Sequence, residues 1–458
     1  MSEQREHWTS QVGFLLAAIG SAVGLGLLWK FPYTVGQNGG GLFLLSYVLC
    51  IIVIGIPVLI GELLLGRHTQ SAAVNAFGKL SSNQPFWKMG GWLGVISSFL
   101  IMSFYSVIAG FGMSYVLMSL TNFYSSVPLE QIPKVFTLLS HSGGIVIFWH
   151  FLFTLITMSI VLSGVRKGIE FWAKIMTRTL FVILIAFCLY GLTLSGFSDT
   201  VKFIFNWDVQ SFDFSSILEA LGLAFFTLSL GQGIMISYGS YMRKKENIPV
   251  MALVIAGAVI VVAVLVAFSI FPIIFTFNFV PEQGVGLIFE TMPYLFAQLP
   301  GSILISTIFF LLFVFAALTS SIPFIEVPAT NLMELKGFSR KKAVLIVSGA
   351  VFLFGIPCAL SFSQALFPNW SSVYGSSYLD TINALVSVWL IPVGGLITAL
   401  FLGWRVPKKD LIEEFPTSSK WHKFFHLWYF FMRYIIPILI LLIILQKTGL
   451  INFDTFLR

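Results

Sequence analysis

The chain alternates long apolar runs with short polar connectors. A run of about twenty apolar residues is long enough to cross a bilayer as a helix. The pattern predicts eleven such spans, numbered 1 to 11 in chain order: about 11–36, 41–66, 89–121, 144–163, 169–195, 217–242, 249–277, 302–335, 342–361, 378–404 and 424–446. A shorter amphipathic segment near 285–298 predicts a helix in an outer loop. The pattern therefore predicts an all-α polytopic membrane protein.

Glycine clusters interrupt spans 1 and 6 at corresponding places, within residues 20–26 and 229–233. Glycine inside a helix costs about 1 kcal/mol relative to alanine, so clusters at mid-membrane depth need a reason. Close helix packing is one reason. The other is that both helices unwind to expose backbone groups to a solute, as in transporters built from inverted repeats. We favour the second and predict a single domain, 1–458, with repeats over about 11–195 and 217–404 and an extra helix over about 424–446.

Composition and charge agree with a membrane chain. Hydrophobic residues make up 57% and charged residues 10% of 458 residues, far below the charged fraction of soluble domains. The net charge is +7, but its cations fall in short connectors, which favours lipid over nucleic acid as the partner. The connectors after even-numbered spans carry most of them, including Arg67, Arg166, Arg243, Arg340 and Arg405. This asymmetry predicts a cytoplasmic N-terminus and an outside C-terminus.

The sequence contains no pattern typical of an enzyme. The cysteines Cys50, Cys188 and Cys358 lie in apolar runs, and the six histidines do not cluster with other metal ligands. We find no nucleophile–base set and no phosphate-binding loop, and we interpret the acidic Glu62 as structural.

Several motifs occur in a family-specific order. They are residues 18–26 (AIGSAVGLG), 29–32 (WKFP), 38–41 (NGGG), 61–62 and 66–67 in span 2, 226–231 (FTLSLG) and 318–321 (LTSS). This set resembles the neurotransmitter:sodium symporter family over about residues 5–446. The resemblance implies a leucine-transporter-like 5+5 inverted repeat with discontinuous helices 1 and 6. Eleven spans resemble several bacterial members, which implies a multi-pass protein of the bacterial inner (plasma) membrane.

The resemblance implies an amino-acid substrate. Gly24 stands where family members for amino acids have glycine, leaving room for the substrate carboxylate beside the backbone of Leu25 and Gly26. Tyr105 matches the family tyrosine that reaches this carboxylate. Gln232 replaces a commonly apolar residue, which predicts a partly polar side-chain subsite. The other predicted substrate contacts are Ser21, Ala22, Ile101, Phe226, Thr227, Ser229, Ser320 and Phe324.

The resemblance also implies one of the family's two sodium sites. The second site has the expected ligands: Gly20, Val23, Ala316, Thr319 and Ser320. The first site does not, because its asparagine ligands are replaced by Leu27 and Val259, and a position linked to chloride is Ala263. We therefore expect one Na⁺ at the second site and no chloride.

Charged pairs at both mouths match the family's gates. Outside, Lys30 and Asp380 would pair above Phe226, and lysine would hold the carboxylate more loosely than the usual arginine. The cytoplasmic latch would consist of Arg5, Trp8, Tyr241, Glu326 and Glu334. Arg178 replaces a proline of span 5, and we predict that it lies along the sodium release path or snorkels to the interface.

These features predict a sodium-coupled symporter of a neutral amino acid that works by alternating access. A first alternative is a sodium-independent or proton-coupled carrier in which Arg178 replaces the ion. A second, of another class, is a solute sensor that does not transport. The particular amino acid and the oligomeric state stay open.

Overall fold

The computed structural model describes residues 6–205, 214–244, 246–279, 285–416, 419–448 and 450. These residues form helices and connectors, with no β-strand among them. Nine of the helices are long and apolar enough to cross a membrane: Gly41–Thr69, Pro85–Leu120, Gly143–Leu162, Val165–Gly191, Ile248–Thr276, Ser302–Lys336, Arg340–Ala359, Tyr378–Arg405 and Lys423–Gln446. They correspond to predicted spans 2–5 and 7–11, so the prediction of a polytopic helical protein is confirmed.

Spans 1 and 6 are both broken, as the glycine clusters predict. Span 1 consists of Gln11–Ala22 and Gly26–Gln37, which differ in direction by 41°. Span 6 consists of Phe214–Thr227 and Ile234–Gly239. Each half of span 6 is too short to cross a bilayer alone, so length and composition yield up to ten spans among the described residues rather than the predicted eleven.

Short helices occupy several connectors. The predicted outer-loop helix is present as two consecutive turns, Leu287–Thr291 and Met292–Ala297. The other connector helices are Ala73–Leu80, Phe123–Ser126, Ile132–His141, Phe197–Phe205, Trp370–Tyr374 and Lys408–Ile412.

Spans 3 and 8 pack against each other along their length and form the wall behind the two breaks. Small residues also allow span 3 to approach span 6 closely. A Cβ on Gly94 of span 3 would lie 2.8 Å from the backbone N of Gly233 in span 6. The fold therefore brings the interrupted stretches of spans 1 and 6 together against spans 3 and 8.

Candidate functional site

The break in span 6 is held open by a buried carboxylate. Within it, Ser229, Gly231 and Gly233 all have positive φ, a region that glycine adopts without strain. The N–H of Gly231, freed from the helix, donates to Oε1 of Glu62 at 2.7 Å. Glu62 is fully buried. It satisfies a backbone group that unwinding leaves without a helical partner, which agrees with its structural interpretation.

The break in span 1 depends on glycine for a steric reason. A Cβ on Gly24 would lie 2.1 Å from Oγ of Ser320 and 2.9 Å from the hydroxyl of Tyr105. A Cβ on Gly26 would lie 2.7 Å from the ring of Phe226. A side chain at either position would therefore force the facing side chains of Ser320, Tyr105 or Phe226 to shift.

A small cavity lies between the two breaks. Its volume is about 10 Å³, close to the space that one water molecule needs. It is lined by eleven of the thirteen predicted substrate contacts: Ser21, Ala22, Gly24, Leu25, Gly26, Tyr105, Phe226, Thr227, Ser229, Ser320 and Phe324. Ile101 and Gln232 are buried but are not among the lining residues.

Polar groups around the cavity pair with one another. The Leu25 N–H donates to the hydroxyl of Tyr105 at 3.2 Å. The Ser21 carbonyl accepts from Ser320 at 2.8 Å and from Ser229 at 3.2 Å. A solute with a carboxylate and an ammonium group can replace these partners. Its carboxylate can accept from the Leu25 N–H, and its ammonium group can donate to the Ser21 carbonyl.

Residues of spans 1 and 8 lie close together at the predicted second sodium site. Ser320 Oγ lies 3.2 Å from the Gly20 carbonyl oxygen, and Thr319 Oγ1 lies 3.0 Å from that of Ala316. Gly20 faces Thr319 directly, because a Cβ on it would lie 3.1 Å from the Thr319 Cβ. Val23 lies at the start of the break. Backbone carbonyls and hydroxyls are oxygen ligands of the kind that a small hard cation takes.

The first sodium site has no comparable ligand set. Leu27, Val259 and Ala263 are fully buried apolar residues. The remaining hydroxyl, that of Thr227, bonds with the hydroxyl of Tyr47 at 2.7 Å and with the Leu223 carbonyl at 2.9 Å. The structure therefore has apolar side chains at these three positions, as the family resemblance predicts.

The outer gate differs from the prediction. Lys30 lines a cavity of about 360 Å³, and its Nζ lies 5.7 Å from the centroid of the Phe226 ring. Asp380 is exposed and accepts a hydrogen bond from Ser377 at 2.6 Å. No ion pair of the described residues joins it to Lys30. The carboxylate that lines the cavity with Lys30 is Glu219, which sequence analysis missed.

Part of the predicted latch forms one cluster, which includes a residue that sequence analysis missed. The hydroxyl of Tyr241 donates to the fully buried Glu326 at 2.6 Å, and Arg340 donates to both Glu326 oxygens at 2.6 and 3.2 Å. Trp8 is buried and its indole donates to the Tyr238 carbonyl at 3.0 Å. The sequence indicates only that Arg340 is a connector charge.

One other predicted latch residue contacts the helix that follows span 2. Glu334 accepts from the Ala72 N–H at 2.7 Å and from Asn75 at 2.9 Å, at the start of the helix after span 2. Arg5 lies outside the described residues.

Of the two places predicted for Arg178, the surface of the bundle agrees with the structure better than the sodium release path. Its side chain is exposed on the outer face of span 5. The adjacent Thr177 is buried and faces the second site, since a Cβ on Gly20 would lie 2.4 Å from its hydroxyl. The alternative in which Arg178 replaces the ion is therefore not supported.

Two broken helices around a central site between packed spans define a membrane transporter of the inverted-repeat class. A profile of the "Sodium:neurotransmitter symporter family" matches residues 5–139 and 131–455. The chain belongs to this family, whose members are secondary transporters and not enzymes, and membership implies the use of sodium.

Individual relatives agree with this assignment. The chain is 37% identical to an uncharacterized sodium-dependent transporter, YhdH, of Bacillus subtilis strain 168, covering 99% of this chain and 100% of the relative. It is 33% identical to a sodium-dependent transporter of Haemophilus influenzae, covering 97% and 99%. The crystal structure of MhsT in complex with L-phenylalanine matches with a TM-score of 0.89 and 39% identity, covering 96% of this chain and 99% of MhsT. The leucine-transporter-like fold is thereby confirmed.

Proposed function

We propose that the protein is a sodium-coupled symporter that moves a neutral amino acid by alternating access, with one Na⁺ at the second site and no chloride. It acts as a single domain of two inverted repeats in a bacterial inner membrane. The observation that carries the proposal is the contrast between the two sodium sites. Gly20, Ala316, Thr319 and Ser320 present converging oxygens, whereas Leu27 and Val259 present none.

A neutral amino acid is supported by the chemistry of the central cavity. The residues around it carry no formal charge, so the substrate has to bring balanced charges of its own. The backbone N–H of Leu25 and the carbonyl of Ser21 suit a carboxylate and an ammonium group, respectively. The related MhsT is in complex with L-phenylalanine, which agrees with a neutral amino acid.

Thermal stability tests the proposed sodium site. We expect Na⁺, but not K⁺, to raise the melting temperature of the purified protein, because a ligand that binds the folded state stabilises it by about 2.7 kcal/mol at a hundredfold excess over Kd. Thr319→Ala should remove the sodium effect. Thr330→Ala is the matched control, since Thr330 lies on the same helix and its hydroxyl also bonds its own backbone.

Each remaining outcome has a definite meaning. If Na⁺ has no effect while an amino acid still stabilises the protein, sodium coupling is wrong. If replacing chloride with gluconate abolishes the stabilisation, the chloride prediction is wrong. Absence of substrate counterflow in proteoliposomes, despite stabilisation by Na⁺ and amino acid, would support the sensor instead.

A further inference from the structure

Arg433 is a cation on span 11 that is surrounded by aromatic rings. The centre of its guanidinium group lies 4.4 Å from the Trp404 ring, 5.6 Å from that of Tyr434 and 5.9 Å from that of Tyr429. Nη1 donates to the Tyr429 hydroxyl at 3.2 Å. No described carboxylate pairs with Arg433. A cation in a span needs a counter-charge or access to the interface.

The position of Arg433 relative to span 10 shows which region of the bilayer it reaches. A Cβ on Gly403 would lie 2.8 Å from the Arg433 Cα, and the Trp404 indole donates to the Arg433 carbonyl at 2.9 Å. Span 10 ends two residues after Gly403, at Arg405. Arg433 therefore lies at the level of the last turn of span 10, close to the end of the bundle that carries the basic connectors.

A second cation shares the same aromatic group. Nζ of Lys408 lies 5.6 Å from the Tyr429 ring and 5.9 Å from the Phe425 ring, and its side chain is exposed. Asp410 follows two residues later, but no ion pair of the described residues joins it to either cation. The positive charge of the two side chains is therefore not cancelled within the cluster.

The cluster opens outward rather than into the bundle. Trp404 is 56% exposed and Tyr434 41% exposed, on the surface where spans 10 and 11 meet. Tryptophan and tyrosine favour the headgroup level of a bilayer, because their apolar rings and polar N–H or O–H groups suit that boundary. The surface thus combines interfacial aromatic residues with two cations that have no carboxylate partner among the described residues.

We propose that Arg433, Lys408, Trp404, Tyr429 and Tyr434 form a binding site for the headgroup of an anionic glycerophospholipid in the cytoplasmic leaflet. The phosphate accepts from the guanidinium of Arg433 and is attracted by the ammonium of Lys408. Basic pockets between spans on the cytoplasmic side suit anionic headgroups in this way. The acyl chains then lie along the exposed apolar surface of span 11, where Phe430 is 49% exposed.

Native mass spectrometry of the full-length protein tests the site, using phosphatidylglycerol and phosphatidylcholine with identical acyl chains as probes. We expect phosphatidylglycerol to bind more tightly. Arg433→Gln and Lys408→Gln should each weaken its binding about fivefold, the effect of one basic residue near a lipid surface. The matched control is Lys342→Gln, because Lys342 is also exposed and lies 4.0 Å from the Phe338 ring elsewhere on the protein.

The control should bind phosphatidylglycerol as the wild type does. Equal binding of both lipids to the wild type would overturn the proposal, as would unchanged affinity in Lys408→Gln. Because Lys408 is exposed, Lys408→Gln should fold, and its affinity for phosphatidylglycerol tests the site even if Arg433→Gln does not fold. Displacement of the lipid by inorganic phosphate at equal concentration would assign the cluster to a free anion and overturn the lipid site.

Discussion

Gln232 is an unusual side chain within the break of span 6. It is 1% exposed, and neither Oε1 nor Nε2 has a hydrogen-bond partner among the described groups. Its own carbonyl accepts from Ser98 at 2.7 Å, which places it one turn from Ile101 on span 3. A buried amide without partners costs about 1–3 kcal/mol. A buried polar group without a partner needs an explanation, and we predict that a bound ligand supplies the missing partner.

Replacing Gln232 with leucine should therefore stabilise the protein by about 1 kcal/mol, because it removes the unpartnered amide. The variant should also bind amino acids with apolar side chains better than those with polar ones. Melting temperatures with and without an amino-acid panel measure both effects.

The control for this prediction is Asn331→Leu, also at a buried amide. Asn331 accepts from the Val74 N–H at 2.9 Å and donates to the Val327 carbonyl at 2.8 Å, so leucine should lower stability by about 1–3 kcal/mol there. A similar loss in both variants would contradict the interpretation of Gln232.

At the scale of elements, the latch joins spans 8 and 9 to the segment just after span 6, at the end of the bundle that carries Trp8. Its centre is Glu326, which is fully buried and receives hydrogen bonds from Tyr241 and Arg340. Removing one partner of a buried ion pair leaves an uncompensated charge, which is more costly than losing the pair. We therefore expect the latch to stabilise this end of the bundle only while Glu326, Tyr241 and Arg340 are all present.

We expect Arg340→Gln to lower the free energy of unfolding by about 3–5 kcal/mol, since Glu326 loses its counter-charge. The double variant Glu326→Gln with Arg340→Gln should recover most of this loss. Melting temperatures of the two variants, with the exposed Arg166→Gln as control, measure the effect. If the double variant is no more stable than Arg340→Gln alone, the unpaired charge of Glu326 does not cause the loss of stability.

At the scale of the whole molecule, one end of the bundle carries most of the basic connectors. Arg67 at the end of span 2 donates to Glu414 at 2.6 Å, and Arg405 reaches the carbonyl of Ser81 at 3.4 Å. These contacts place the ends of spans 2 and 10 on the same side. From the positive-inside rule we propose that this side faces the cytoplasm.

Labelling with a membrane-impermeant maleimide tests this orientation. Ser372→Cys, in the exposed connector between spans 9 and 10, should react in intact cells. Lys336→Cys, at the exposed end of span 8, should react only after the membrane is permeabilised. The native cysteines, which are buried or half-buried, give a low background. The reverse pattern would invert the proposed topology.

The sequence by itself determined that the protein lies in a membrane, where its helical spans are, and where two of them break. Each of these follows from local composition. Long apolar runs require lipid, and glycine clusters mark the places where helices unwind. The motif order also identified the family, and with it all eleven residues that line the small central cavity.

Only the tertiary structure decided which side chains meet. Neighbours on a helix point about 100° apart, so a sequence position alone does not fix the direction of a side chain. Thr177 therefore faces the second site while Arg178 is exposed. Likewise, Glu219 rather than Asp380 lines the cavity of Lys30, and Arg340 completes the latch. These partners come from different spans, and packing of the spans brings them within reach.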